Sequence, residues 1–294
     1  MSTESECRYL VYVIYGHDET YYQGARFGIL SFLSHWEGGN PPQVVVLTEC
    51  PEKFEGMPID IIGLSNQQIR EWSLDGAYRF RIKNRALHFF ITSRSLSEQS
   101  KILFMDTDFY FSQATNIFYE HITDQQALMF FPETSISNLP DDNEYAVLRQ
   151  RDFVIQGKQY RVTEQSMMWA SAVIGITPRM IEALEYADQL ILAFRKAGCM
   201  AHTLEQFALS EALSRNVNLR EAKPWVQHYS TSGRKDYARK VLQRFFSRYG
   251  SSPFEVQVTA SRGVNFRRTL VAVVQGHIYK KKKKLRKLLG LPEE

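Results

Sequence analysis

The strongest constraint on the fold is a series of apolar, β-rich runs separated by stretches with helical spacing. Residues 9–15 (YLVYVIY) and 44–48 (VVVLT) have no polar break before their last residue, residues 59–64 form a shorter run, and residues 101–111 (KILFMDTDFYF) form a fourth. Runs without strict hydrophobic–polar alternation suit strands covered on both faces, as in a parallel sheet. Between the first two, residues 21–36 carry Phe27, Leu30, Phe32, Leu33 and Trp36 at helical spacing, and the segment 38–42 (GGNPP) then breaks the chain. Residues 72–93 read as mostly helical, with Ile82, Leu87, Phe90 and Ile91 on the apolar side. Strands separated by helices predict βαβ crossovers, hence an open α/β sheet whose ligand sits at the strand C-terminal ends.

After residue 112 the pattern changes. Residues 127–132 (ALMFFP) predict a strand, 133–150 a polar irregular stretch, and 152–162 a hairpin turning at Gly157-Lys158. A strand over 167–176 (MMWASAVIGI), a helix from Pro178 to Lys196 and another over 203–214 follow.

The fourth run delivers two aspartates, Asp106 and Asp108, with one residue between them. In a strand, residues i and i+2 share a face, so both carboxylates are expected to point one way. Two carboxylates aimed together repel, and a hard divalent ion that also holds phosphate oxygens relieves the repulsion. The pattern therefore predicts an Asp-x-Asp site for a metal–diphosphate.

Composition bounds the setting. A 44% apolar chain of 294 residues can build one large core with an extension, and 13% aromatic residues suit a cleft with stacking surfaces. Cys7, Cys50 and Cys199 are odd in number and widely spaced, forming neither a disulfide framework nor a zinc pattern. That usage predicts a reducing, cytoplasmic location. No apolar run reaches 18 residues, and the opening MSTESECRYL lacks the basic-then-apolar order of a secretory signal. Charge is segregated: residues 1–227 carry 20 Lys and Arg against 28 Asp and Glu, whereas residues 228–294 carry 16 against 4. An acidic body argues against nucleic acid, and the basic end calls for an anionic partner. Five lysines at 280–284 precede Leu285, Leu288, Leu289 and Leu291, interleaved with Arg286 and Lys287. This predicts a basic amphipathic helix on an anionic membrane surface, which would place the protein peripherally on the inner face of the membrane.

Around the two aspartates the sequence resembles the GT-A-fold, nucleotide-sugar-dependent glycosyltransferases, in pattern closest to the family 8 enzymes of the bacterial cell envelope. The resemblance is densest over residues 9–120 and thinner over 165–235. It implies a Rossmann-like open mixed sheet flanked by helices. Residues 1–120 would form a nucleotide-binding half, 121–250 a sugar and acceptor half, and 251–294 a basic C-terminal extension. Asp18 and Tyr21 (DETY) look like the family's Asp-x-x-Tyr, which implies contact with uracil through the acid and stacking through the ring. Asp18 reads equally well as a helix N-cap. In YRFRIK, which resembles the family helix whose cations meet nucleotide and phosphate, Arg81 and Lys83 are the candidates. By the same resemblance Asp106 meets ribose and metal, while Asp108 binds Mn²⁺ (or Mg²⁺) with the diphosphate. His228 would be the third metal ligand, and Lys235, following Gly233, would clamp the diphosphate. Glu205-Gln206 is similar to the family's Asp-Gln pair beside the donor sugar. Ser171-Ala172-Val173 stands where the family has Asn-Ala-Gly, with Ser171 able to bond a sugar hydroxyl and Val173 crowding the glycine position.

The function implied is transfer of a sugar from a nucleotide-diphosphate donor, UDP-linked, to a hydroxyl of a cell-envelope glycan or glycolipid. Two alternatives stay open: a HAD-like phosphatase, which also uses an Asp-x-Asp after an apolar strand, and a catalytically inactive carbohydrate- or partner-binding domain.

Overall fold

The computed structural model describes residues 7–266. It begins with β1 (Arg8–Ile14), α1 (Glu19–Ser34), β2 (Gln43–Thr48) and β3 (Asp60–Gly63). Asp18 caps α1: its carboxylate accepts from the Thr20 amide at 2.9 Å, satisfying one of the helix's free N–H groups. The stretch 72–93, expected to be mostly helical, touches the end of one helix at Trp72 and is helical again only from Arg81. α2 (Asn66–Trp72) starts in a Ser65–Gln68 capping box and ends in a turn where Leu74, Asp75 and Gly76 all take positive φ. α3 (Arg81–Arg94) follows. Three consecutive left-handed residues cannot continue a right-handed helix.

The fourth strand is also shorter than expected. β4 (Lys101–Met105) stops at the first aspartate, and β5 (Phe109–Tyr110) belongs to a separate two-stranded ribbon. Asp106 and Asp108 therefore lie on a bend between two sheets rather than on one face of one strand. The chain continues through α4 (Ile117–Glu120), β6 (Gln126–Ser135), the β7–β8 hairpin (Asp152–Ile155, Lys158–Arg161) and β9 (Met167–Ile176). The hairpin turns on Gln156 and Gly157, one residue earlier than expected, and both have positive φ as its twist favours. α5 (Ile181–Lys196), α6 (Leu204–Ser214), β10 (Asn218–Glu221), β11 (Gln227–His228), α7 (Ser232–Tyr249) and α8 (Phe254–Ser261) complete the order.

The central sheet runs β10-β6-β9-β4-β1-β2-β3. Six strands are parallel and β9 alone is antiparallel, pairing with β4 and β6. This is the open α/β sheet with flanking helices that the sequence pattern predicts, made mixed by the antiparallel β9. Alternation explains the unbroken apolar runs. Val11 and Val13 of β1, with Ile102 and Phe104 of β4, face a core shared with α3, α5 and α6. Leu10, Tyr12, Ile14, Leu103 and Met105 face a second core with α1.

A third cluster joins Phe27 and Leu30 of α1 to Tyr110, Tyr229, Ala238, Leu242, Phe245 and Phe266, so α7 folds back over α1. α8 also packs against α1. The first part of the expected extension, from residue 251 to 266, is thus packed onto the body. The basic amphipathic segment at 280–291 lies outside the described residues. Among those described, no helix is long and apolar enough to cross a membrane.

Candidate active site at the ends of β1 and β4

β1 and β4 are parallel neighbours, and the strand order reverses between them. In open α/β sheets such a reversal opens a crevice at the strand C-terminal ends. Here β1 runs out into Gly16-His17-Asp18, and β4 into Asp106-Thr107-Asp108. The aspartate bend is held by backbone from several sides. The Asp106 amide donates to the Ala172 carbonyl at 2.9 Å, and the Tyr229 amide to the Asp108 carbonyl at 3.1 Å. The Tyr229 hydroxyl donates to the Thr107 carbonyl at 3.1 Å. α1 approaches so closely that a Cβ on Gly24 would lie 2.3 Å from that same carbonyl oxygen.

Lys83, in the first turn of α3, reaches into the crevice over the Phe104 ring. Its Nζ lies 3.4 Å from Asp106 Oδ1 and 3.5 Å from Glu205 Oε1. It also donates to the Ser171 hydroxyl at 3.0 Å and the Ser171 carbonyl at 3.2 Å. Glu205 sits in the first turn of α6, where the helix dipole favours a carboxylate. Ser171 donates to its Oε1 at 3.0 Å, and the Tyr78 hydroxyl lies 3.1 Å from its Oε2. The same Tyr78 oxygen accepts from the Glu205 amide at 2.8 Å. Ser171 therefore supports the Lys83–Glu205 pair.

Burial acts to lower the Lys83 pKa, but the charges of Asp106 and Glu205 outweigh it and the net shift is upward. Burial raises the Asp106 carboxyl to about 6, helped by Asp108 and Glu205 and opposed by Lys83. Because the Asp106 side chain is 37% exposed, solvent screens part of that push. Asp108 moves the other way. Burial would raise it, but His228 and Lys235 hold it below the usual carboxylate range. His228 Nε2 is 3.1 Å from Asp108 Oδ1 and Lys235 Nζ is 3.3 Å from Oδ2. The His228 ring is itself fixed, stacked on Phe109 at 4.4 Å and edge-on to Phe130 at 5.0 Å.

Six of the expected residues are thus gathered: Lys83, Asp106, Asp108, Glu205, His228 and Lys235. Gln206 joins by its neighbour, donating at 2.5 Å to Glu133, which stands near the outer end of β6 beside a register shift. Asp18 and Tyr21 stand at the start of α1, with Asp18 engaged as the cap and the Tyr21 ring exposed. Arg81 is not brought in. Its guanidinium forks onto Asp188 of α5 at 2.6 and 2.8 Å and bonds the carbonyls of Glu71 and Trp72. It ties α3 to α5 and α2. Tyr78 and Glu133 join the cluster without having been singled out. Glu133 lies at the start of a stretch that reads as irregular, and a pairing between β6 and α6 leaves no local pattern.

The expected metal set is not pre-assembled. Among the described residues, no three His, Cys, Asp or Glu side chains converge as ligands of one ion. Asp108 and His228 touch each other, and Asp106 leans on Lys83. The donor types, two carboxylates and an imidazole, are nonetheless ones that Mn²⁺ or Mg²⁺ accepts. No family model and no curated protein matches the chain.

Proposed function

We propose that the chain is a metal-dependent glycosyltransferase of the GT-A type, moving a sugar from a UDP-linked donor to a hydroxyl of a cell-envelope glycan or glycolipid. The observation that carries this reading is the gathering of Asp106, Asp108, Lys83, Glu205 and Lys235 where the strand order reverses, beside the loop that ends β1. Such a mixed cluster suits a ligand with a diphosphate at one end and a hydroxyl-rich ring at the other.

In this reading the uracil lies against Tyr21 and the Asp18 turn, and Lys235 leaves Asp108 to meet the diphosphate. Asp106, Asp108 and His228 would hold the divalent ion. When bound, that ion supplies positive charge against the departing diphosphate. Glu205 and Gln206 orient donor-sugar hydroxyls, with Glu205 placed to stabilise positive charge at the anomeric centre. Lys83 lies between Glu205 and Asp106 and offsets their mutual repulsion. Arg81 has no part in this scheme, because its guanidinium is committed to Asp188.

A thermal-shift panel of nucleotide sugars with and without Mn²⁺ tests it. A ligand at a hundred times its Kd adds about 2.7 kcal/mol, so UDP-sugars should raise Tm and other nucleotides should not. Metal-dependent UDP-sugar hydrolysis that disappears in Asp106→Ala supports transfer. Turnover of p-nitrophenyl phosphate would point to the phosphatase, and nucleotide binding without hydrolysis to an inactive domain.

A further inference from the structure

An exposed aromatic pair stands beside the Glu205 end of the crevice. Phe80, in the turn before α3, is 41% exposed, an unusual position for a large apolar ring. Its ring meets that of His202, which is also exposed, at 5.7 Å and 66°. The two rings come from loops far apart in sequence, and Tyr78 joins them. Its hydroxyl lies 2.9 Å from the His202 carbonyl and 3.1 Å from Glu205. The pair is therefore one residue removed from the carboxylate assigned to the donor sugar. Polar groups border it on the His202 side: Glu133 feels the charge of His202 and accepts from Gln206 at 2.5 Å.

We propose that Phe80, with the His202 ring edge-on beside it, forms a stacking platform for a pyranose ring of the acceptor, with Gln206 and Glu133 placed to bond its hydroxyls. The inference rests on the glycosyltransferase reading and adds the acceptor class and its location. A pyranose has an apolar C–H face and a rim of hydroxyls. An exposed ring edged by an amide and a carboxylate complements both. Charge does not choose the occupant: Glu133 and Glu205 are offset by Arg79, next to Phe80, and by Arg195, 4.9 Å over the Tyr78 ring, so the ring face and its polar rim do. The Glu133 carboxyl is pushed up by burial first and by the charge of Glu205, against the hydrogen bond from Gln206 and the charge of His202, so Glu133 lies within electrostatic reach of the pair. The nucleobase has its own ring, Tyr21, at the β1 side of the crevice, which leaves the platform to the acceptor.

Saturation-transfer NMR on the full chain tests this, with UDP, methyl β-glucopyranoside, methyl β-galactopyranoside and lactose as probes. Wild type should pass saturation to the ring protons of at least one pyranoside. Phe80→Ala should weaken that signal by about fivefold, with unchanged UDP signal and Tm, while Phe80→Trp keeps it and His202→Ala lowers it. UDP saturation with no pyranoside signal, or equal pyranoside signals in wild type and Phe80→Ala, overturns the platform and leaves nucleotide binding standing. A pyranoside signal lost in Phe80→Ala with no UDP signal keeps the platform and removes the nucleotide reading.

Discussion

Two aspartates a single residue apart are driven in opposite directions by their partners. Asp106 has a raised pKa of about 6, and Asp108 a lowered one. A raised carboxyl contributes stability below its unfolded pKa of about 3.9, and that contribution is lost as pH rises through its folded pKa. A lowered carboxyl contributes stability above the unfolded pKa, lost as pH falls through its folded value. Metal-free Asp106→Asn should therefore gain Tm relative to wild type as pH is raised from 4 to 7. Asp108→Asn should lose Tm at pH 7 and converge on wild type in acid. Parallel Tm–pH curves for wild type and Asp106→Asn would show that Asp106 titrates normally.

Lys83 is the cation that Asp106 and Glu205 share. Replacing it with Met leaves Glu205 buried without a counter-charge, a loss of about 3 kcal/mol for a broken buried pair. Urea denaturation at pH 7 should read that loss. It should shrink at pH 5, where Asp106 takes up a proton and one of the unpaired charges disappears. An equal loss at both values would mean that Lys83 acts by packing alone.

At the level of elements, α1 matters for where it lies as much as for what it carries. Gly24 meets backbone, the Thr107 carbonyl, which cannot move aside without shifting the aspartate bend. Gly24→Ala should gain up to about 1 kcal/mol of helix propensity and lose about 1–3 kcal/mol to overpacking. The net effect is a lower Tm together with a weaker UDP-induced thermal shift. Wild-type stability and nucleotide response in Gly24→Ala would mean that the bend is not held by α1.

The elements also show why parts of this architecture were readable. β1 and β2 stand out because both faces are buried, so residues 10–14 and 44–47 are apolar without interruption, and β9 keeps most of that character around Ser171. The break between α2 and α3 carries no proline, but its left-handed turn of Leu74, Asp75 and Gly76 holds an Asp-Gly turn dipeptide inside the stretch that reads as helical. The bend after β4 is masked because apolar residues resume at once in Phe109-Tyr110-Phe111: Phe109 and Tyr110 pair in a different sheet, while Phe109 and Phe111 return to the core of Leu103 and Met105. At the site, Asp106, Asp108, Lys83 and Glu205 carry recognisable local patterns. Arg81 carries the same pattern as Lys83, and only the position of Asp188, 107 residues later, separates their fates.

Across the whole molecule, charge and packing divide the C-terminal region in two. Up to Phe266 it is part of the body: the Phe266 ring stacks on Tyr229 at 5.1 Å and packs beside Phe27, closing α7 over α1. Residues 279–294, outside the described residues, include seven Lys and Arg against two Glu. Removing them should leave Tm and nucleotide response unchanged while taking away most of the attraction to an anionic surface. Each basic residue near such a surface contributes about 1 kcal/mol, so the deletion should reduce co-sedimentation with phosphatidylglycerol vesicles by about tenfold or more. The remaining binding should come from the outward cations of α7, among them Lys240, Arg244 and Arg248, and should fall steeply with salt. Vesicle binding equal to that of the full chain would assign the contact to α7 and leave the lysine run without a role at the membrane.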